Sequence, residues 1–128
     1  MSYVLLVVCL SLLQFMIFGM AVGYARHKYN CPAPATAGNE MFERYFRGQM
    51  NTLEQLVVFV PAVLLFASHV SETWAAGLGA VYLVGRTLYF LGYVRDPKSR
   101  GPGFLLTMVA NSVLVAGTLV SAVRSLAG

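Results

Sequence analysis

Four polar residues recur at helical spacing at the start of the second long apolar stretch of this 128-residue chain. They are separated by three, four and three positions, which places them on one face of an α-helix. A charged side chain at membrane depth is unfavourable unless it is paired, faces a wet cavity or serves a function. We therefore treat these residues as the first candidate for a functional site and call them the polar stripe: Arg44, Arg47, Asn51 and Glu54.

A second polar face follows in the third apolar stretch. Arg86, Tyr89 and Tyr93 are spaced three and four positions apart, and Arg100 follows them beyond a turn. Helices joined by a short connection pack antiparallel, so both polar faces should reach the same end of the protein. The sequence predicts a pocket there that contains guanidinium groups, one carboxylate, amides and phenols.

Such a pocket matches a ligand with two carboxylates, an ammonium group and a peptide backbone. Arginine binds carboxylates through two parallel hydrogen bonds. Glu54 is a natural partner for an ammonium group, and Asn51 and Gln49 can bond amides. Glutathione carries all of these groups together with a thiol, and a nearby arginine favours its reactive thiolate form.

The same residues also allow purely structural roles. Arg86 and Glu54 can neutralise each other inside a bundle, and Arg44 can pair with Glu40 or Glu43. Tyrosines and basic loop residues are also common anchors at a membrane interface. The convergence of many polar groups at one depth is what favours a ligand site.

The composition excludes an ordinary soluble domain. Of the residues, 58% are hydrophobic and only 11% are charged, against roughly 25% charged in soluble domains. The net charge is +4, but the basic residues lie in short loops between apolar stretches, which is a membrane pattern rather than a nucleic-acid-binding one. We predict an all-α integral membrane four-helix bundle in a single membrane domain, 1–128, with spans at about 2–25, 40–68, 72–95 and 102–124.

Residues that favour helix ends support these boundaries. Asn39 and Ser71 are suited to cap the second and third helices. Asp96-Pro97 should end the third helix, and Gly101-Pro102-Gly103 should open the fourth.

Loop charges predict the orientation. Loop one contains Arg26, Lys28, Arg44 and Arg47, and the third contains Arg95, Lys98 and Arg100, whereas the second contains no Lys or Arg. By the positive-inside rule, loops one and three and the candidate site face the cytoplasm, with both termini on the other side.

The remaining reactive groups point to no further cofactor. Cys9 lies within the first span and Cys31 in the first loop, so we expect no disulfide between them. Cys31 lacks the His and Asp pattern that would accompany a catalytic nucleophile. We also expect no metal.

Two long motifs resemble one known family. Phe42-Glu43-Arg44-x-x-Arg47-Gly48-Gln49-x-Asn51-x-x-Glu54 resembles the signature of the MAPEG family, the membrane-associated proteins in eicosanoid and glutathione metabolism. Tyr82-Leu-Val-Gly-Arg86-Thr-Leu-Tyr89-Phe-Leu-Gly-Tyr93 resembles the third-helix motif of the family. The resemblance extends from Arg26 to Arg100. It is to the branch of the family that contains the microsomal glutathione transferases and leukotriene C4 synthase, and it fits a small bacterial member.

The resemblance implies a homotrimer that binds glutathione between protomers near the cytoplasmic face. Arg100 matches the arginine that activates the thiol. Gln55 and Gly48 depart from the leukotriene C4 synthase pattern, which argues against a leukotriene-specific activity. Arg44 and Arg86 would be supporting residues. The matching glutathione contacts are Arg47, Asn51, Glu54, Tyr89, Tyr93 and Arg100 from one protomer, and Arg26 and Gln49 from its neighbour.

The leading hypothesis is therefore a membrane glutathione transferase that can also act as a peroxidase. Its second substrate would be a lipophilic electrophile or hydroperoxide from the bilayer, and a bacterial member would lie in the inner membrane. The alternative is a non-catalytic lipid-binding scaffold of the five-lipoxygenase-activating-protein type. A small multidrug exporter is disfavoured because Met1 to Ala25, the first span, contains no acid.

Overall fold

Four long α-helices make up almost the whole chain in a computed structural model that describes residues 1–128. A single 3₁₀ turn, Pro97–Arg100, joins the last two helices. Each long helix is apolar enough and long enough to cross a membrane, which confirms the predicted all-α class with four spans. The helices are α1 (Ser2–Lys28), α2 (Glu40–His69), α3 (Glu72–Arg95) and α4 (Gly101–Ala127).

Side-chain caps fix the helix starts. The Oδ1 atom of Asn39 accepts a hydrogen bond from the Phe42 backbone N–H at 3.0 Å. The Oγ atom of Ser71 accepts one from the Trp74 N–H at 3.1 Å. Each cap satisfies one of the N–H groups that a helix start leaves free, so both predicted caps are confirmed.

The apolar core draws on all four helices. Val4 and Val7 of α1 pack with Phe59 of α2, Tyr82 of α3 and Leu114 of α4 in one cluster. The rings of Phe59 and Tyr82 stack with their centroids 3.9 Å apart. This cluster extends from the polar stripe toward the far end of the bundle. A smaller apolar cluster lies at the end that carries the stripe and contains Val22, Ala25, Cys31 and Phe42.

Helices α3 and α4 approach closely because two glycines face each other. A Cβ atom on Gly103 would collide with the Tyr89 backbone, and one on Gly85 would lie 3.0 Å from the Gly103 carbonyl oxygen. Small residues permit such backbone contact between membrane helices. The contact sets the position of Tyr89, and with it one wall of the candidate site.

We predict that Gly103→Ala will destabilise the protein by on the order of 1–3 kcal/mol, since the added methyl group must push two backbones apart. The control is Gly77→Ala in α3, where a Cβ atom meets nothing within 4 Å. That change should be neutral or slightly stabilising, because alanine favours a helix more than glycine does. Thermal unfolding in detergent measures both variants, and equal melting temperatures would show that the close contact is not required.

Candidate functional site

A fully buried guanidinium lies at the centre of the polar region. Arg86 on α3 is 0% exposed. Its Nη2 atom donates to the Oδ1 atom of Asn51 at 2.8 Å and to the hydroxyl of Thr52 at 2.9 Å, and its Nη1 atom donates to the hydroxyl of Thr107 at 3.3 Å. Its guanidinium carbon lies 4.2 Å from the centroid of the Tyr89 ring. Arg86 thus links α2, α3 and α4 through hydrogen bonds and a cation–π contact.

Three residues of the polar stripe form a second, more exposed cluster. The Oε1 atom of Glu54 accepts hydrogen bonds from Arg47 Nη2 at 3.2 Å and from Asn51 Nδ2 at 3.4 Å. The side chains of Arg47 and Glu54 are 50% and 55% exposed. The structure therefore brings Arg47, Asn51 and Glu54 together, while the alternative pairing of Glu54 with Arg86 is wrong because Arg86 forms no salt bridge.

Asn51 joins the buried and exposed groups. Its Oδ1 atom accepts from Arg86, and its Nδ2 atom donates toward Glu54. The amide orientation is thereby determined, because only the oxygen can accept from a guanidinium. The buried charge and the exposed ion pair belong to one hydrogen-bonded network.

A cleft of about 440 Å³ opens beside this network. Arg44, Arg47 and Tyr93 line it, together with Pro97 of the 3₁₀ turn. Tyr89, which is 3% exposed, stacks on Tyr93 with the two ring centroids 5.7 Å apart. The predicted phenols therefore lie side by side, but only Tyr93 lines the cleft.

Arg44 has structural partners. Its Nη2 atom lies 2.8 Å from the Glu40 carboxylate, and its Nη1 atom donates to the carbonyl oxygens of Val94 and Arg95 at 3.2 and 3.1 Å. These two carbonyls belong to the last turn of α3, which lacks intrahelical partners. Arg44 therefore ties the start of α2 to the end of α3.

The other three predicted contacts form no hydrogen bond to the network within one protomer. Arg100 is exposed, and its Nη1 atom donates to the carbonyl oxygen of Pro97 at 2.8 Å. Arg26 donates to the carbonyls of Cys31 and Ala35 at 3.2 and 2.6 Å, so it braces the first loop. Gln49 lies against α1 at Gly19.

Sequence reasoning missed the partners of the buried charge. Thr52 and Thr107 are 0% exposed, and each also donates to a carbonyl four residues earlier, Gly48 and Gly103. Threonines often bond in this way inside helices, so their spacing carries no sign of a second partner. A further polar pair, in which Asn111 Nδ2 donates to Gln55 Oε1 at 3.1 Å, also had no signal in the sequence.

These helices and their polar cluster define an integral, multi-pass membrane protein with an ionic site at one end of the bundle. The MAPEG family model matches residues 4–120. The chain therefore belongs to the MAPEG family, as the motifs predict.

Several characterised and uncharacterised proteins are similar to the chain. An uncharacterized protein of Synechocystis sp. is 46% identical over 116 residues, which cover 91% of this chain and 85% of that protein. Human microsomal glutathione S-transferase 2 is 38% identical over 113 residues, covering 88% and 75%. Bovine leukotriene C4 synthase is 34% identical over 94 residues, covering 73% and 63%. The similarity to a Synechocystis protein makes a bacterial source plausible.

We predict that Thr52→Val will destabilise the protein more than Thr107→Val. Thr52 accepts two Arg86 N–H groups, at 3.3 and 2.9 Å, and Thr107 accepts one. Each change should cost on the order of 1–3 kcal/mol, because the buried charge loses an acceptor while side-chain volume is kept. Thermal unfolding in detergent measures the order.

The matched control is Thr118→Val. Thr118 donates to the Leu114 carbonyl four residues earlier at 2.8 Å but accepts nothing from Arg86. It should unfold at nearly the same temperature as the parent. If all three variants lose equal stability, the effect comes from the helix-internal bond rather than from Arg86.

Proposed function

We propose that the protein is a membrane glutathione transferase with its site at the end of the bundle that carries the polar stripe. The observation that carries this proposal is the cluster of Arg47, Asn51 and Glu54, half-exposed beside a cleft lined by Arg44 and Tyr93. Relatives named microsomal glutathione S-transferase 2 share more than a third of their aligned residues with this chain. The chemistry of the cluster and the names of these relatives both support glutathione as the ligand.

The cluster offers matching partners for the polar groups of glutathione. Both hydrogen bonds to Glu54 end on Oε1, which leaves Oε2 available for the ligand ammonium. Arg47 uses only Nη2 on Glu54, so its other N–H groups can bind a carboxylate. Tyr93, at the cleft wall, would add a phenol hydroxyl to the same ligand.

The exposed ion pair also motivates the homotrimer. Glu54 lies fifteen residues before the end of α2 at His69, which is about 22 Å of helix. The hydrocarbon core is about 30 Å thick, so a carboxylate at this height is inside it. An ion pair facing lipid there is unfavourable, and we propose that neighbouring protomers cover this face and contribute Arg26 and Gln49 to the bound glutathione.

Arg100 would act on the thiol. Only its Nη1 atom has a protein partner, and the guanidinium stays charged at every working pH. A positive charge beside the thiol lowers the thiol pKa and favours the thiolate. The sulfur then attacks an electrophilic carbon of a lipophilic substrate, a C–S bond forms, and the leaving group departs with its electron pair while the thiol proton passes to water.

The same thiolate would support a peroxidase reaction. The sulfur attacks the terminal oxygen of a lipid hydroperoxide, the O–O bond breaks, and the alcohol leaves after taking up a proton. A second glutathione then converts the oxidised sulfur to a disulfide with loss of water. The site would face the cytoplasm, and the protein would lie in the inner membrane if the source is bacterial.

The direct test is conjugation of glutathione to an aryl halide by the purified protein in detergent, with a lipophilic hydroperoxide in a parallel assay. Turnover of the aryl halide is the expected result. Absence of glutathione binding would overturn both the transferase and the peroxidase proposals and would favour the non-catalytic lipid-binding scaffold.

We predict that Glu54→Gln will weaken glutathione binding by on the order of tenfold while leaving unfolding nearly unchanged. Glutamine keeps an oxygen that can accept from Arg47 and Asn51, but the change removes the charge that would hold the ligand ammonium. The matched control is Glu72→Gln, because Glu72 is also 55% exposed and pairs with the Met1 amino group at 2.8 Å. Calorimetric titration and melting temperature without ligand separate the two roles, and lost stability with unchanged affinity would contradict the ligand role.

We predict that Arg100→Ala will retain most glutathione binding but lower conjugation by on the order of 100-fold, as when one charge-stabilising group is removed. The thiolate absorbance of bound glutathione should shrink in parallel. Arg95→Ala is the control, since the exposed Arg95 side chain forms no hydrogen bond or ion pair. Full turnover with a full thiolate signal in Arg100→Ala would assign thiol activation to another group.

A further inference from the structure

A second groove lies at the opposite end of the bundle, between the last turns of α2 and the second half of α4. Its volume is about 640 Å³. We call it the α2–α4 groove. Its apolar wall includes Phe66, Val113 and Val120, and its polar mouth consists of His69, Ser121 and Arg124.

The sequence of α4 creates this groove. Ala116 and Gly117 present little or no side chain to it, and a Cβ atom on Gly117 would lie 2.5 Å from the Phe66 ring. At the mouth, the Ser121 hydroxyl donates to the His69 carbonyl at 3.3 Å and joins the two helices. The groove is therefore a gap between two packed helices, not an irregularity of one surface.

The length of the groove matches half a bilayer. Val113 and Arg124 are eleven residues apart on α4, which is about 16 Å along a helix. One leaflet of hydrocarbon is about 15 Å thick, half of a core of about 30 Å. An acyl chain that starts beside Arg124 would thus follow the groove to the level of Val113, near the bilayer midplane.

The positive charge at the mouth of the α2–α4 groove has no partner within the chain. The guanidinium of Arg124 forms no hydrogen bond or ion pair within the chain, and Glu72, the acid at the start of α3, pairs with the Met1 amino group. Arg124 is the only Lys or Arg after Arg100. An arginine in the last turn of a membrane helix lies at headgroup level, where it can bind a phosphate through two hydrogen bonds.

We propose that the α2–α4 groove binds one anionic phospholipid, with its headgroup phosphate on Arg124 and one acyl chain along Phe66 and Val113. A net negative headgroup is favoured because a zwitterionic lipid brings its own cation close to the guanidinium. A basic residue beside an anionic membrane surface gains about 1 kcal/mol, and the same gain beside one anionic headgroup corresponds to a factor of about five in binding. The proposal concerns a site at the other end of the bundle and does not rest on the proposed glutathione chemistry.

Photolabelling in nanodiscs tests this proposal. The probes are phosphatidylglycerol and phosphatidylcholine that carry the same diazirine-bearing acyl chain, and peptide mass spectrometry maps the adducts. In the parent protein, phosphatidylglycerol should label residues 113–120 about fivefold more than phosphatidylcholine does. Equal labelling by the two lipids would overturn the proposal, because it would show only the non-selective lipid that surrounds any membrane protein.

Two variants and a control separate the headgroup contact from the chain contact. Arg124→Gln should abolish the preference between the lipids while keeping the labelling by phosphatidylcholine. Ala116→Phe, at an exposed position of the groove, should reduce labelling by both lipids. Arg95→Gln removes the same charge at the other end of the bundle and should leave the labelling of α4 unchanged. A preference that survives Arg124→Gln would overturn the assignment of the headgroup to Arg124.

Discussion

The hydrogen bonds of one buried guanidinium constrain three of the four helices. Arg86 is fully buried, and a charge in that position requires acceptors on every side because water cannot supply them. Its partners come from α2 and α4, and its own helix supplies the Tyr89 ring. A rotation or a shift of any of these helices would remove an acceptor, so the network fixes the register of the bundle near the site.

This constraint explains why the exposed cluster has its observed geometry. Asn51 gives its oxygen to the buried charge, so its N–H groups must face the other way, toward Glu54. Glu54 in turn holds Arg47. The orientation of the Asn51 amide is thus determined by the buried charge, and a chain of hydrogen bonds continues from it to Glu54 and Arg47 at the surface. The close contact of Gly85 with Gly103 completes the constraint, because it sets the distance between α3 and α4.

Much of the fold and part of the site could be predicted from the sequence. Apolar length gave the four helices, and capping residues such as Asn39 and Ser71 marked where two of them start. Spacing of three and four placed Arg47, Asn51 and Glu54 on one face, and these residues do meet. Spacing defines a face of one helix, however, and does not give its rotation toward neighbouring helices. For that reason the partners of Arg86 could not be found from the sequence, and the structural alternative that pairs Arg86 with Glu54 is wrong.

Two basic residues at helix ends show a different limit. Arg26 and Arg100 depend on loop conformation, and their carbonyl partners, at Cys31, Ala35 and Pro97, have no pattern that a sequence can reveal. Within one protomer each braces local backbone and keeps N–H groups free. The exposed pair of Arg47 and Glu54 likewise has only part of its bonding capacity satisfied. A binding site between protomers requires a buried group such as Arg86, whose hydrogen bonds stay within the protein, beside surface groups that keep unused hydrogen-bonding capacity. The buried half must hold its geometry without a ligand, and the surface half must leave its remaining bonds to the ligand and the neighbouring protomer.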